Sequence, residues 1–264
     1  MVNSYSATQD IDVITSNYPV PGLGLVPLNA FLLKGSEPIL VDTGSVADRT
    51  DFLSVLRSLI DPQELRWIFL SHSDFDHIGS LATLLSDYPQ LRVITTFLGV
   101  GIMGLAQPLP LDRVHLLNPG ETLHLGDRTI TAVKPPTFDN PCTTGFVEAK
   151  SGVFFSSDSF GALLAAVPQR ATDLTEAELR QGQRFWATVD SPWLHSVDRD
   201  AYAKDLSRIA GLSPSMVLSS HLPPAPASLL PQMLQTLASA PEAPPFVGPN
   251  QAALLQMLRQ MSGT

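Results

Sequence analysis

The segment Leu70-Ser71-His72-Ser73-Asp74-Phe75-Asp76-His77-Ile78-Gly79 packs two imidazoles and two carboxylates into six residues, directly behind the apolar run Trp67-Ile68-Phe69-Leu70. So dense a set of nitrogen and oxygen donors makes chemical sense mainly around cations. The apolar run reads as a short buried strand, and Ile78 to Leu85 carries apolar residues at helical spacing, so the donors occupy a strand-to-helix turn. Alternate residues of an extended turn point the same way. His72, Asp74 and Asp76 are therefore expected to converge, with Ser73 and Phe75 facing elsewhere and His77 following as the chain enters the helix. Gly79 is expected to let the backbone bend without a Cβ penalty. A plain helix cap, with Asp74 or Asp76 as N-cap, explains one carboxylate but not two together with two imidazoles.

Two more donors fall at strand ends. Val153-Phe154-Phe155-Ser156 reads as a strand running into Ser157-Asp158-Ser159-Phe160-Gly161, and Met216-Val217-Leu218-Ser219 as a strand ending at His221. Taken alone, Asp158 is an ordinary turn residue. The recurrence of donors at strand ends is what suggests a shared rim, where functional groups gather in layered α/β folds.

Further strands are expected at Ala30 to Lys34 and Pro38 to Val41, joined by a hairpin-like Gly35-Ser36-Glu37, at Arg92 to Thr96, and as a pair over Thr122 to Val133 joined at Gly126-Asp127. Helices are expected over Asp48 to Leu59, after the capping box Thr175-x-x-Glu178, over Asp200 to Ile209, and over Leu229 to Leu237 within a proline-rich tail that begins at Pro223. No repeat and no clean linker is visible, so residues 1–264 read as one α/β unit of sandwiched sheets with outer helices.

Composition narrows the partners. With 44% hydrophobic residues in 264, a full core can be buried. A net charge of −9 and the lack of a basic run argue against a nucleic-acid partner. No apolar stretch approaches the roughly 20 residues needed to span a bilayer. Met1 to Asp12 is polar and does not read as a secretory signal. The lone cysteine, Cys142, excludes an internal disulfide framework and fits a reducing, cytoplasmic setting; it is expected to be a small buried residue, although it lies close to Asp139 in sequence.

His72-x-Asp74-x-Asp76-His77-x-Gly79, with Asp42-Thr43-Gly44 upstream, Asp158 between and His221 near the end, resembles the metallo-β-lactamase superfamily over roughly residues 28 to 224. The resemblance implies an αββα four-layer sandwich with one or two metals at the rim between the sheets. Hydrolytic members usually read His-x-His-x-Asp-His. A carboxylate at position 74 instead resembles the flavodiiron, oxygen-binding di-iron branch, as do Asp158-Ser159-Phe160-Gly161, Asn29 to Lys34, and the helix, helix, strand, Ser-His order from Phe185 to His221.

The chain departs from that branch in three ways. Asp74 is shorter than the usual Glu by one carbon–carbon bond, about 1.5 Å, so the first metal sits closer to the turn or is reached through water. Asp139-Asn140-Pro141 stands where the branch has a His-x-Pro ligand, and no histidine lies between His124 and His195. No flavodoxin segment follows, so an external electron-donor protein is expected.

Carried over residue by residue, the resemblance implies His72, Asp74 and Asp158 on a first metal, with Asp139 as a weaker fourth ligand. Asp76, His77 and His221 hold a second, and Asp158 bridges. Carboxylate with imidazole favours two irons, with Mn or Zn as alternatives. Asp42 is either a partner that orients a ligand imidazole or a plain turn carboxylate. His115, His124 and His195 are expected away from the site. Phe138, Phe160, Trp186 and Trp193 are candidates to line the cavity, with core packing as their default.

Three functions follow: binding or reduction of a diatomic gas, O2 or NO; hydrolysis of an ester, lactone, thioester or phosphoester, with Asp76 as the catalytic residue that steers a metal-bound nucleophile; or a metal-poor binding scaffold. A hydrolase acting on a small-molecule substrate should add a polar or basic group, for which Lys134, Lys150 and Arg184 are candidates. A homodimer through Leu254, Leu255 and Leu258 is weighed against packing of that helix on its own chain.

Overall fold

The apolar strand periodicity builds two stacked sheets. The computed structural model describes residues 1–262. Its first sheet runs in the order β1 (Asn3–Thr8), β2 (Ile11–Val20), β3 (Gly24–Leu33), β4 (Ile39–Val41), β5 (Trp67–Phe69), β6 (Arg92–Thr95), β7 (Val114–Leu116). It is antiparallel through β4 and parallel from β4 to β7. The second sheet comprises β8 (Thr122–Leu125), β9 (Arg128–Val133), β10 (Gly145–Glu148), β11 (Val153–Phe155), β12 (Met216–Ser219) and β13 (Leu222–Pro226) in that spatial order, with β11 and β12 parallel.

Strands buried on both faces divide their side chains between two cores. In β4 and β5, Ile39, Val41, Trp67 and Phe69 point toward the second sheet, while Leu40 and Ile68 point toward helices α1 (Arg49–Leu59) and α2 (Leu81–Asp87). Between the sheets, Phe69 meets Phe146 edge-on at 4.7 Å and Phe31 meets Phe155 at 5.5 Å. These aromatic contacts fix the spacing of the layers. The outer face of the second sheet is covered by α4 (Glu176–Asp190), α5 (Arg199–Gly211) and α6 (Leu230–Ser239), which bury Leu179, Ile209 and Met233 against Phe154 and Val217. α3 (Phe97–Met103) follows β6, and α7 (Gln251–Ser262) closes the described chain. The result is the αββα sandwich. Among the described residues no helix is long and apolar enough to cross a membrane.

The expected strands and helices are present, including both halves of the Thr175/Glu178 capping box. The sequence reading contained no expectation of β2, β7, β10 or α3, and three further details differ. The sequence reading placed Pro223 to Pro226 in a tail, yet they form β13. This is an edge strand, where an imino nitrogen that cannot donate costs little. β1 was invisible because it is a polar edge strand with no buried residue. Finally, α2 begins at Leu81 rather than Ile78. The backbone of residues 77–80 is held instead by the loop after β4: Thr43 N–H donates to His77 O, Gly79 N–H to Gly44 O and Ser80 N–H to Thr43 O. His77 therefore sits in the turn, ahead of the helix.

Gly79 has a different reason from the one expected. A Cβ there would lie 2.2 Å from the carbonyl carbon of Ser45 and 2.4 Å from the nitrogen of Val46, both backbone atoms that cannot rotate away. Gly79→Ala should therefore lower the urea midpoint by the equivalent of about 1–3 kcal/mol. Gly101→Ala, where an added Cβ meets nothing within 4 Å in α3, should be neutral or stabilising. Equal midpoints for the two variants would show that the loop contact does not constrain residue 79.

Candidate metal centre

The donors converge because three strand ends, together with the β9–β10 connection that carries Asp139, deliver them to one rim. β5 leads into the 71–79 turn, β11 into Asp158 and β12 into His221, while β4 supplies Asp42 behind them. Asp42 adopts a left-handed backbone (φ 58°) and is 1% exposed. Its Oδ1 accepts from Ser71 N–H at 2.8 Å, and its Oδ2 accepts from the Ser71 hydroxyl at 2.8 Å and from His77 Nδ1 at 2.9 Å. That bond fixes the His77 tautomer, so Nε2 points inward. On the opposite wall, His221 Nδ1 donates to the Pro27 carbonyl at 3.0 Å, which directs its Nε2 to the same space. His72 Nδ1 contacts the hydroxyls of Ser71 (3.0 Å) and Ser157 (3.3 Å), again with Nε2 inward.

Asp158 lies at the meeting point. One oxygen, Oδ2, is 3.1 Å from His72 Nε2; the other, Oδ1, is 3.1 Å from His221 Nε2 and 3.4 Å from His77 Nε2. Asp76 Oδ2 adds a second carboxylate beside His77 (3.4 Å) and His221 (3.6 Å). On the His72 side, Asp139 Oδ1 is 3.9 Å from His72 Nε2, and Asp74 joins His72 and Asp139 with donor atoms all within 4.8 Å of one another. Asn140 Nδ2 holds Asp74 Oδ1 at 3.3 Å. All seven residues singled out from sequence thus meet in one cluster, in two groups joined by Asp158.

The charges are unevenly compensated. Burial lowers the basicity of the His221 imidazole, but Asp158 and Asp76 outweigh it and carry the ring up to about 9. His77 and His72 are likewise raised against burial, His77 by Asp76, Asp158 and Asp42, His72 chiefly by Asp158. Burial pushes the Asp158 carboxyl up, yet the three imidazoles hold it well below the usual carboxylate range. At the other end, burial followed by the neighbouring Asp158 and Asp74 carboxylates raises Asp139 to about 6. The His72 end therefore carries excess negative charge that protons or cations must neutralise.

The donor set fits metal ions on direct observation. His77 Nε2 and Asp158 Oδ1 are buried with no hydrogen bond, and the 3.1 Å approach of His221 to Asp158 Oδ1 lacks hydrogen-bond alignment. Buried polar atoms aimed at one another without a bond are rare in folded proteins, and a cation between them satisfies both.

The walls are built by residues of ordinary type. Gly161 leaves room for Trp186 and His221, whose atoms would lie 2.5 and 2.8 Å from an added Cβ. Trp186 Nε1 donates to the Asp158 carbonyl at 3.1 Å, and its ring lies 4.6 Å from that of His221. Trp193 Nε1 donates to the Phe138 carbonyl at 2.7 Å, steadying the loop that carries Asp139. Phe160 instead packs into the outer core beneath the helices. Lys134 donates to the Pro141 and Thr143 carbonyls with its ammonium over the Phe138 ring, so it braces the same loop, and Lys150 pairs with Asp127 in an exposed turn. Arg184 lines an apolar groove with Phe185 and Phe246. Cys142 is buried, and burial raises its thiol. His115 packs beside Trp67, His124 bonds Thr129 and His195 lies in a short turn; none joins the cluster.

One residue escaped the sequence reading. Asp190 has a donor oxygen within 4.8 Å of those of Asp139 and Asp158. Burial first, then Asp158 and Asp139, raise its carboxyl to about 8. The available signal was its position as the last residue of α4, where the helix dipole disfavours negative charge.

Known proteins carry the same arrangement of elements. The rubredoxin-oxygen oxidoreductase of Megalodesulfovibrio gigas is 25% identical over 194 residues, covering 73% of this chain and 48% of the relative. The anaerobic nitric oxide reductase flavorubredoxin of Salmonella typhi is 25% identical over 197 residues, covering 73% of this chain and 40% of the relative. The chain thus spans about half the length of these relatives or less. The solved structure of rubredoxin oxygen:oxidoreductase from Desulfovibrio gigas superimposes with a TM-score of 0.78 at 21% identity, over 92% of this chain and 63% of that one. The family model for ODP family beta lactamase matches residues 26–221, a span that contains all seven donors. The chain therefore belongs to the ODP family of beta-lactamase-like proteins.

Proposed function

We propose that this chain holds a dinuclear, iron-loaded centre that binds and reduces a diatomic gas, O2 or NO. The observation that carries the reading is the split of one buried carboxylate: Asp158 turns Oδ2 to His72 and Oδ1 to His77 and His221, the geometry of a bridge between two cations. His72, Asp74, Asp139 and Asp158 would hold the first ion, and Asp76, His77, Asp158 and His221 the second. This oxygen-rich set suits iron or manganese better than zinc. Iron bound by these residues would supply the redox chemistry needed to reduce a diatomic gas.

The chain's own residues set the conditions for that chemistry. Asp42, the Pro27 carbonyl and the hydroxyls of Ser71 and Ser157 keep each imidazole in one orientation, so the three Nε2 lone pairs face the same space. Trp186 packs on the His221 ring and keeps water from that side. Asp76, on the more open side with its side chain 31% exposed, is held as a carboxylate against burial by His77 and His221, the form in which it would hold the second ion. Electrons come from a redox partner protein, in keeping with the name of one relative, a rubredoxin-oxygen oxidoreductase. The exposed Leu254, Leu255 and Leu258 of α7 offer a surface for a second copy. A single buried thiol suits a cytoplasmic setting.

The hydrolytic reading uses the same donors but needs a recognition group beside them. Lys134 is committed to backbone carbonyls and Lys150 to Asp127, which weighs against it.

Anaerobic loading of the full chain with Fe(II), followed by metal analysis and an optical spectrum on admitting air, tests the proposal. We expect about two irons per chain, an absorption band of an oxo-bridged pair, and consumption of O2 or NO with a chemical reductant. Stoichiometric zinc with esterase activity and no gas consumption would overturn it. Asp158→Ala should deplete both positions, and His221→Ala mainly the second; unchanged metal content in Asp158→Ala would remove the bridge. Asp74→His, which adds an imidazole, should shift selectivity toward zinc in competition binding.

A further inference from the structure

The geometry points to Asp190 as a ligand of the first metal position, where with Asp139 it takes the role that a second imidazole beside His72 would fill. This rests on the dinuclear reading above and adds a residue that neither the clustered motif nor its spacing contains. Donor atoms of Asp139, Asp158 and Asp190 all lie within 4.8 Å of one another, and Asp158 and Asp139 approach His72 Nε2 to 3.1 and 3.9 Å. Oxygen donors at about 2.0–2.2 Å from one ion are separated by up to roughly twice that distance when opposite, so these groups need only a small contraction to share a cation.

Three observations separate this from an accidental acidic patch. Asp158 is 2% exposed and its Oδ2, the oxygen turned to His72 at 3.1 Å, accepts no hydrogen bond among the described residues, so a buried oxygen facing the first position lacks a donor. No lysine or arginine forms an ion pair with Asp139, Asp158 or Asp190 among the described residues. Asp190 itself accepts one hydrogen bond, from the Ser191 hydroxyl to Oδ2 at 2.9 Å, leaving Oδ1 without a protein donor among the described residues. Its placement at the carboxyl end of α4, against the helix dipole, is a cost that a nearby cation offsets.

The consequence is chemical asymmetry. The first position gathers one imidazole and four carboxylates, whereas the second has two imidazoles and two carboxylates, with Asp158 shared. Hard divalent ions such as Mn(II) and Fe(II) are favoured at the first position and borderline ions such as Zn(II) at the second.

The test is a Mn(II) titration of the metal-free full chain, followed by calorimetry and by the electron paramagnetic resonance signal of free Mn(II). Circular dichroism checks the fold of each variant. Wild type should take up Mn(II) at two positions, and Asp190→Asn should weaken the first at least about tenfold while leaving the second. Asp190→Glu should recover most of the loss. In a His221→Ala background, which isolates the first position, adding Asp190→Asn should abolish the remaining tight binding. If Asp190→Asn and Asp190→Glu both bind as wild type does, Asp190 is not a ligand and the dinuclear reading stands. If wild type binds neither Mn(II) nor Fe(II), both fall together.

Discussion

Burying the Asp158 carboxylate among His72, His77 and His221 is unfavourable unless positive charge accompanies it, and this requirement organises the site. Each imidazole is engaged from behind by a group of different origin: Asp42 at the end of β4, the Pro27 carbonyl in β3, and hydroxyls on both sheets. Those bonds turn the ring nitrogens toward Asp158, and among them His77 Nε2 is buried with no hydrogen bond. Protons can supply the missing charge, and so can cations, but only cations also satisfy atoms that point at one another without a hydrogen bond.

The sandwich makes this convergence possible. Two sheets held apart by interlocking aromatics leave a rim where strand ends from both layers face each other, and neither sheet alone carries a complete donor set. Backbone strain collects at that rim. Asp42, Ser157 and Phe160 all take left-handed conformations at or just past strand ends, where non-glycine residues rarely sit. The loop after β4 is stitched to residues 77–80 by backbone hydrogen bonds, so the orienting Asp42 and the ligand turn move as one body.

Much of this was legible in the sequence, because strand ends are marked by short apolar runs and the donors follow them directly. His72, Asp74, Asp76 and His77 were readable from local spacing, and Asp158 and His221 from their recurrence in the same kind of place. Asp139 depended on the resemblance to a known branch. Asp190 is not legible in the local pattern, since it approaches the cluster from the end of a helix of the outer layer. The role of Gly79 is hidden for a similar reason: close approach to Ser45 and Val46 is a tertiary contact that no local pattern reveals. β13 was hidden because proline suppresses the strand signal wherever it stands, although an edge strand tolerates it.

Membership of a beta-lactamase-like family supplies the frame, and the donor set supplies the chemistry. Carboxylates outnumber imidazoles, no lysine or arginine forms an ion pair with Asp139, Asp158 or Asp190 among the described residues, and the two oxygens of Asp158 face different imidazoles, which is why paired redox metals are proposed ahead of a hydrolytic zinc. The most direct test is anomalous diffraction from crystals of the chain loaded anaerobically with iron. The account predicts a pair of iron peaks flanking Asp158, one bounded by His72 and the other by His77 and His221. A lone peak, or iron bound elsewhere with Asp158 contacting only protein, would contradict it.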